Sequence, residues 1–326
     1  MTKDKDILSQ IKAAIAKSKT FFIAGHTKPD GDTIGTALAL ASLLKRMGKK
    51  PEIYSRETVP EYFNFLHGIK NIKVTEKVCK EFDCAIILEC ASAERMGDII
   101  TFDQAAFVIN IDHHAHFNTF GNINYIDSGA SSSAQQVYNL FKHYDKGITK
   151  DEAEALYVGL VTDTGKFQQN NTSPEAFAMA ADLVKAGVYP PHIYEQIYAS
   201  KKYSALKLLG MALSTLKVTP SGKVAYVDIK QSMYRKCHSN VTETEDIINY
   251  TMMIPGITAG ILFRETEAPG VVKISFRSRN NFDVNKIAQH FGGGGHKNAA
   301  GCSINASLQS ARKTVLKYLS KHIEIK

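Results

Sequence analysis

The sequence predicts an α/β protein: a parallel-sheet domain in roughly its first 200 residues, then a smaller α/β domain. Three observations carry this. Apolar runs of strand length, FFIAG at 21–25, CAIIL at 84–88 and FVINI at 107–111, alternate with amphipathic stretches of helical period, the pattern of βαβ units. The alternation lapses near residue 200 and then resumes. At 326 residues the chain is long enough for two domains of ordinary size.

In chain order, FFIAG reads as a short buried strand. A helix from about Thr33 to Met47 follows, with apolar residues at helical spacing and Gly48 as its stop. Ala85–Leu88 and Phe107–Ile111 are further buried strands, and Ser133–His143 and Asp151–Val161 read as helices. Strands alternating with helices imply a parallel sheet with helices on both faces, and polar function gathers past the C-terminal ends of its strands. Pro190-Pro191 breaks the pattern and marks the start of a connection. A helical stretch, roughly Lys202–Leu216, leads to strands at Lys223–Ile229, Ile257–Arg264 and Val271–Arg277, with a helix near Glu245–Met252. A helix at Asp283–Phe291, a glycine run, a short strand and a terminal helix at Leu308–Lys321 complete the chain. The expected domains are 1–200 and 201–326.

Composition narrows the class. Hydrophobic residues make up 44% and charged residues 22%, ordinary for a soluble globular protein. No apolar run approaches the roughly 20 residues needed to span a bilayer. The N-terminal residues mix acids and bases and lack the apolar core of a signal peptide, so the expected location is cytoplasmic. Cys79, Cys84, Cys90, Cys237 and Cys302 form no Cys-x-x-Cys pair, which argues against a zinc knuckle or redox motif; they read as small core residues. Net charge is +8, and its distribution says more than its size. Residues 205–326 hold 17 Lys+Arg against 8 Asp+Glu, while the rest holds 23 against 24. The excess positive charge lies wholly in the C-terminal part, which favours a phosphate-bearing partner.

Polar clusters follow the N-terminal apolar segments. His26-Thr-Lys-Pro-Asp30-Gly-Asp32 comes directly after FFIAG, where a Pro- and Gly-containing turn lets an imidazole and two carboxylates converge. Such a set suits a divalent ion such as Mn²⁺. Glu89 ends CAIIL, where a buried acid is costly unless paired or coordinating. Asp112-His113-His114 ends the third run, with His116 two residues on, and Asp163 closes the Asp151 helix. His26, Asp30, Asp32, Glu89, His113 and Asp163 together offer enough nitrogen and oxygen for two adjacent ions, which can polarise a phosphoryl group and generate a nucleophile. In the C-terminal part, Gly292–Gly295 and His296 read as a backbone nest for an anion. Arg277 and Arg279, after the strand VKISF, carry the planar forks that match phosphate.

These motifs, with the stretch GGGGHKNAAG ending at Gly301, resemble the DHH/DHHA1 phosphoesterase family, in its nanoRNase and pAp-phosphatase branch, over nearly the whole chain. The resemblance implies a Rossmann-like catalytic domain, a smaller substrate-binding α/β domain with a mixed sheet, and a two-Mn²⁺ centre in the cleft between them. One ion would take His26, Asp30 and Glu89; the other Asp32, Glu89, His113 and Asp163. Asp112 would orient this shell, and His114 would hydrogen-bond the scissile phosphate or its attacking water. Arg95, Arg277, the loop glycines Gly293, Gly294 and Gly295, and His296 would hold the substrate's phosphates. One departure stands out: Glu89 occupies the bridging position where the family has aspartate, and its added methylene bears on metal spacing. The expected activity is hydrolysis of very short oligoribonucleotides to 5′-mononucleotides, with removal of the 3′-phosphate of pAp as a companion. The rival readings are a phosphodiesterase of cyclic di-AMP or linear pApA, and a catalytically weak nucleotide-binding or sensing protein. Expected partners are short RNA, dinucleotides and pAp, with no membrane; a homodimer is left open.

Overall fold

A computed structural model describes residues 2–114, 118–244, 246–279 and 281–323, without the side chains of residues 2–5 and of His296. His116 and Glu245 therefore lie outside the described residues. The chain divides into two units, Met1–Ser200 and Lys201–Lys326.

In the first unit, helix α1 (Thr2–Lys17) precedes strand β1 (Thr20–Ala24), helix α2 (Gly31–Arg46) and strand β2 (Lys50–Ser55). Strands β3 (Lys73–Val74), β4 (Cys84–Leu88), β5 (Val108–Asp112) and β6 (Ile123–Ile126) follow. Helices α3 (Ser133–His143), α4 (Lys150–Asp163), α5 (Pro174–Lys185) and α6 (Pro190–Tyr198) complete it. The strands form one parallel sheet in the order β3-β2-β1-β4-β5-β6. Its order of growth reverses between β1 and β4, and sheets of this kind bind ligands past the strand C-termini at that reversal. Pairing of Ala24 with Ile87 and of Leu88 with Ile111 makes β1, β4 and β5 end nearly level.

Alternate strand residues feed two cores. Phe21, Ile23, Ile86, Leu88 and Ile111 pack against the helices. Phe22, Ala24, Ile87 and Val108 pack against Phe82, Met96 and Ile99. Among the described residues this second face carries no α-helical cover, contrary to the expectation of helices on both faces. Its cover comes from Val78 and Phe82 of the β3–β4 connection and from the β4–β5 connection, which makes only short 3₁₀ turns at Ala93–Met96 and Phe102–Gln104. The first turn stops at Gly97, whose φ of 68° ends the helical path. Pro190-Pro191 also differs from expectation: it opens α6, because proline in a first helical turn lacks only an N–H that would have had no partner. Cys79 is exposed, whereas the other four cysteines are buried.

The approach of α2 to α4 is what gathers the acidic side chains. The helices run antiparallel: Gly31 lies against Thr162, Asp32 against Gly159, and Gly35 against Ala155. A Cβ at Gly35 would stand 2.1 Å from the Ala155 carbonyl oxygen, so the close crossing requires glycine there. It brings the start of α2 beside Asp163 at the end of α4.

The second unit begins with α7 (Tyr203–Leu213), β7 (Lys217–Val218), β8 (Val224–Ile229) and α8 (Gln231–Cys237). It continues through α9 (Ile247–Thr251), β9 (Ala259–Glu265), β10 (Val271–Ser278) and α10 (Val284–His290). Strands β11 (Gly294–His296) and β12 (Ala299–Asn305) and helix α11 (Leu308–Leu319) end it. The sheet order is β11-β12-β10-β9-β8-β7, antiparallel except between β8 and β9, the mixed sheet expected. One face packs on α10 and α11. The other packs on α7, α8 and α9 through Val227, Ile229 and Leu262. Among the described residues no helix is long and apolar enough to cross a membrane.

Gly35→Ala should destabilise the first unit by about 1–3 kcal/mol, because the added carbon meets backbone that cannot yield. Gly210→Ala on α7, where a Cβ meets nothing within 4 Å, should be neutral or stabilising by up to about 1 kcal/mol. Urea denaturation midpoints of the two variants check the contrast.

Candidate metal centre and anion pocket

The centre is built from the strand ends upward. Past β1 the chain turns through His26 to Asp30, which caps α2 by accepting the Thr33 N–H at 3.0 Å. Past β4 comes Glu89, which is 2% exposed. Its φ is 56°, left-handed backbone that costs a non-glycine residue energy and is found where function demands a particular side-chain direction. Here that direction sets one carboxylate between two imidazoles. Glu89 Oε2 lies 3.7 Å from His26 Nε2, and Oε1 lies 3.4 Å from His113 Nε2. Thr33 Oγ1 donates to Oε2 at 2.8 Å and fixes the rotamer. His26 Nε2 also lies 3.5 Å from Asp30 Oδ2, and His113 Nε2 lies 3.6 Å from Asp163 Oδ2. Asn171 donates to Asp163 Oδ2 at 2.8 Å and orients it.

Asp32 is adjacent but differently employed. Its Oδ2 accepts from the Ser133 N–H at 2.6 Å, and its Oδ1 from the Ala134 N–H at 2.9 Å and from Thr36 Oγ1 at 3.1 Å. It thus anchors the N-terminus of α3, where the helix dipole favours an anion. Any role toward a cation is shared with that one.

Negative charge is in excess. Burial would raise the Glu89 pKa, but His113, His26 and Thr33 hold it well below the usual carboxylate range. Burial opposes charge on His26, yet hydrogen bonding to Asp30 and Glu89 outweighs it and lifts its pKa to about 9. His113 is raised to about 9 against the same opposition, by Glu89, Asp163 and Asp32. Burial lifts Asp163 to about 6, with His113 pulling the other way. Asp32 is raised by burial and by Glu89 and Asp163. Four carboxylates around two imidazoles call for positive charge.

The donor set fits divalent cations. Two ligands each about 2.1 Å from one ion stand roughly 3.0–3.4 Å apart, so the spacings above need only a small contraction. Two three-donor groups, His26–Asp30–Glu89 and Glu89–His113–His114, each keep their donor atoms within 4.8 Å and share Glu89. The second group contains His114, where the sequence expectation had Asp32 and Asp163.

His114 Nδ1 lies 2.7 Å from Asp112 Oδ1, and its Nε2 lies 3.3 Å from Arg95 Nη1. A guanidinium only donates, so Nε2 accepts and the ring proton sits on Nδ1, donated to Asp112. Arg95, on the turn after β4, is therefore brought to the edge of the centre.

The second unit holds a pocket of about 610 Å³. Alternation along β10 turns Lys273, Ser275 and Arg277 onto one face, while Val272, Ile274 and Phe276 enter the core. Arg277 is flanked across the ladders by Gly260 and Ala299, and Ser275 by Leu262 and Gly301; these mostly small neighbours leave the space that is the pocket. Burial lowers the Arg277 pKa, and among the described residues no carboxylate pairs with it. Arg279 is not brought into this pocket. Its strand has ended at Ser278, and its guanidinium donates to the Met252 carbonyl. The glycine run is not an open nest: Gly294–His296 form the edge strand β11 paired to β12. Of Gly293, Gly294 and Gly295, only Gly294 lines the pocket, and the His296 side chain lies outside the described residues.

Sequence reading missed Thr33, Asn171, Arg264 and Lys273. Thr33 adjoins Asp32, and Asn171 lies in the polar stretch Gln168–Ser173 shortly after Asp163. The alternation Lys273-x-Ser275-x-Arg277 was a readable signal for a polar strand face.

Comparison with known proteins agrees with both units. Residues 20–160 match the DHH family, N-terminal domain, and residues 223–321 match the DHHA1 domain. The bifunctional oligoribonuclease and PAP phosphatase NrnA of Thermus thermophilus is 30% identical over 303 residues, 93% of this chain and 90% of that one. Its Bacillus subtilis namesake is 26% identical over 299 residues, 91% and 93% of the two chains. An exopolyphosphatase-related protein from Bacteroides fragilis superposes with a TM-score of 0.88 at 26% identity, covering 97% and 96% of the two chains.

Mn²⁺ added to metal-free protein should bind with a measurable heat and raise the melting temperature. Glu89→Gln should weaken that binding by roughly tenfold or more, since a neutral amide loses a charge-assisted contact to each side; Glu89→Asp should weaken it less. Calorimetry on the three proteins checks this, and unchanged binding by Glu89→Gln would remove residue 89 from the centre.

Proposed function

The chain belongs to the family defined by the DHH and DHHA1 domains, and from that premise we propose that it hydrolyses very short oligoribonucleotides to 5′-mononucleotides and also removes the 3′-phosphate of pAp. The observation that carries this reading is the buried Glu89 carboxylate set between His26 and His113 at the strand-order reversal. Its relatives' names supply the substrate class: two are called oligoribonuclease and PAP phosphatase.

When bound, divalent cations supply polarisation of the phosphoryl group and acidify water. His26, Asp30 and Glu89 would hold one, and Glu89, His113 and Asp163, with Asp32 behind them, the other. Imidazole and carboxylate without thiolate favour Mn²⁺, and Mg²⁺ should serve less well because it dehydrates reluctantly.

The remaining chemistry falls to side chains. His114 Nε2 is an acceptor, so once substrate draws Arg95 away it can take a proton from the water whose oxygen bonds to phosphorus. As that bond forms, the phosphorus bond to the leaving 3′-oxygen breaks and that oxygen is protonated from solvent. Asp112 keeps the ring in that tautomer and steadies the imidazolium that results. The Arg95 guanidinium then donates to a phosphate oxygen. The acidic centre meets one phosphate and cannot measure chain length. Arg277 and the pocket around it would grip groups remote from the scissile bond, and such contacts serve catalysis by positioning the reacting phosphate.

The deciding assay gives the Mn²⁺-loaded protein RNA from dinucleotides upward, pAp, cyclic di-AMP and pyrophosphate. Dinucleotides should turn over fastest, with mononucleotide release. Fastest turnover of cyclic di-AMP, or tight binding without product, would replace this reading by one of its rivals. Full activity in metal-free protein held in EDTA would refute the metal-dependent mechanism.

Arg277→Ala should lower kcat/KM for a dinucleotide by roughly ten- to a hundredfold, the worth of a charged hydrogen bond. Bis-p-nitrophenyl phosphate, which lacks the remote groups, should be affected much less. Equal losses on both substrates would put Arg277 in the chemical step or the fold.

A further inference from the structure

The pocket of the second unit carries more positive charge than one phosphate needs. Among the described residues its lining includes Arg264, Lys273 and Arg277 and no carboxylate. Arg264 and Lys273 stand directly opposite each other across the β9–β10 ladder. Like charges in that relation repel and weaken a sheet, and neither has an ion-pair partner among the described residues. Arg264 is nonetheless fixed in place: its guanidinium donates to Thr244 Oγ1 and, at 3.4 Å, to the Val241 carbonyl. Lys273 is exposed. A held guanidinium opposite an exposed ammonium, both lining a cavity and without an ion-pair partner among the described residues, is arranged for an anion.

This pair is not an extension of the Arg277 contact. Four residues of antiparallel strand, about 13 Å, separate Lys273 from Arg277, and side chains on a strand stand roughly perpendicular to the sheet, so the two cations face different parts of the pocket. Two cations at one point match a phosphomonoester, which carries about −1.5 to −2 at neutral pH, better than a diester of single charge. We propose that Arg264 and Lys273 form a second anion subsite, separate from Arg277, that takes a terminal phosphomonoester of the bound nucleotide. This deepens the reading above and rests on it for the nucleotide, though not for the anion.

The experiment measures binding rather than turnover, with protein held in EDTA. The probes are ApA, its 5′-phosphorylated and 3′-phosphorylated forms, and inorganic pyrophosphate. Wild type should prefer one phosphorylated form over ApA by about ten- to a hundredfold, and which form wins identifies the end that is read. Lys273→Met should bring that ratio close to unity, and Lys273→Arg should restore most of it. Lys313→Met on α11, an equal loss of charge outside the pocket, should leave the ratio as in wild type. Pyrophosphate should raise the melting temperature of Arg277→Ala protein, and much less once Lys273→Met is added. A wild type indifferent to the terminal phosphate, or a Lys273→Met protein that keeps the preference, overturns the subsite. If no dinucleotide binds at all, the oligoribonuclease reading fails, and the pyrophosphate comparison alone decides the subsite.

Discussion

The structure turns on one costly arrangement: a carboxylate buried at the end of a central parallel strand. An unpaired charge there is not tolerated, and removing a partner from a buried pair costs about 3–5 kcal/mol. Glu89 meets the requirement with an imidazole on each oxygen and a threonine hydroxyl behind one of them. Its left-handed backbone keeps the side chain in that slot. The level ends of β1, β4 and β5 and the tight α2–α4 crossing set its partners around it. Glutamate reaches one methylene further than the aspartate expected by resemblance, and Glu89 holds its place with a left-handed φ of 56°.

The two units divide the electrostatics. The first concentrates carboxylates at its strand ends, and its overall charge is close to balance. The second holds the excess positive charge and lines a pocket with three cations. The acidic centre attracts metal cations and repels bare phosphate, whereas the basic pocket attracts phosphate directly. Anion binding to the basic pocket should weaken as salt rises.

By itself the sequence determined the strand–helix alternation of both units and the identity of the polar groups at the strand ends. The reason is geometric. In a parallel sheet all strands point one way, so residues just past each apolar run converge on one edge. His26, Asp30, Glu89 and His113 were therefore legible as a set before any contact was known. Arg277 was legible too, as a planar cation after the strand VKISF in the basic part of the chain.

Tertiary structure alone decided the rest. That Asp32 anchors the first N–H groups of α3, that Thr33 holds Glu89, and that Arg95 reaches His114 depend on contacts between residues 101, 56 and 19 apart in the chain. Arg279 shares the parity of Arg277 but falls beyond the end of β10, and strand ends are set by pairing rather than by composition. Pro190 could end one element or begin another, and only the first turn of α6 chose. The opposition of Arg264 and Lys273 is a matter of strand register. Register is fixed by which faces are buried across the whole sheet, and no local pattern in either strand contains it.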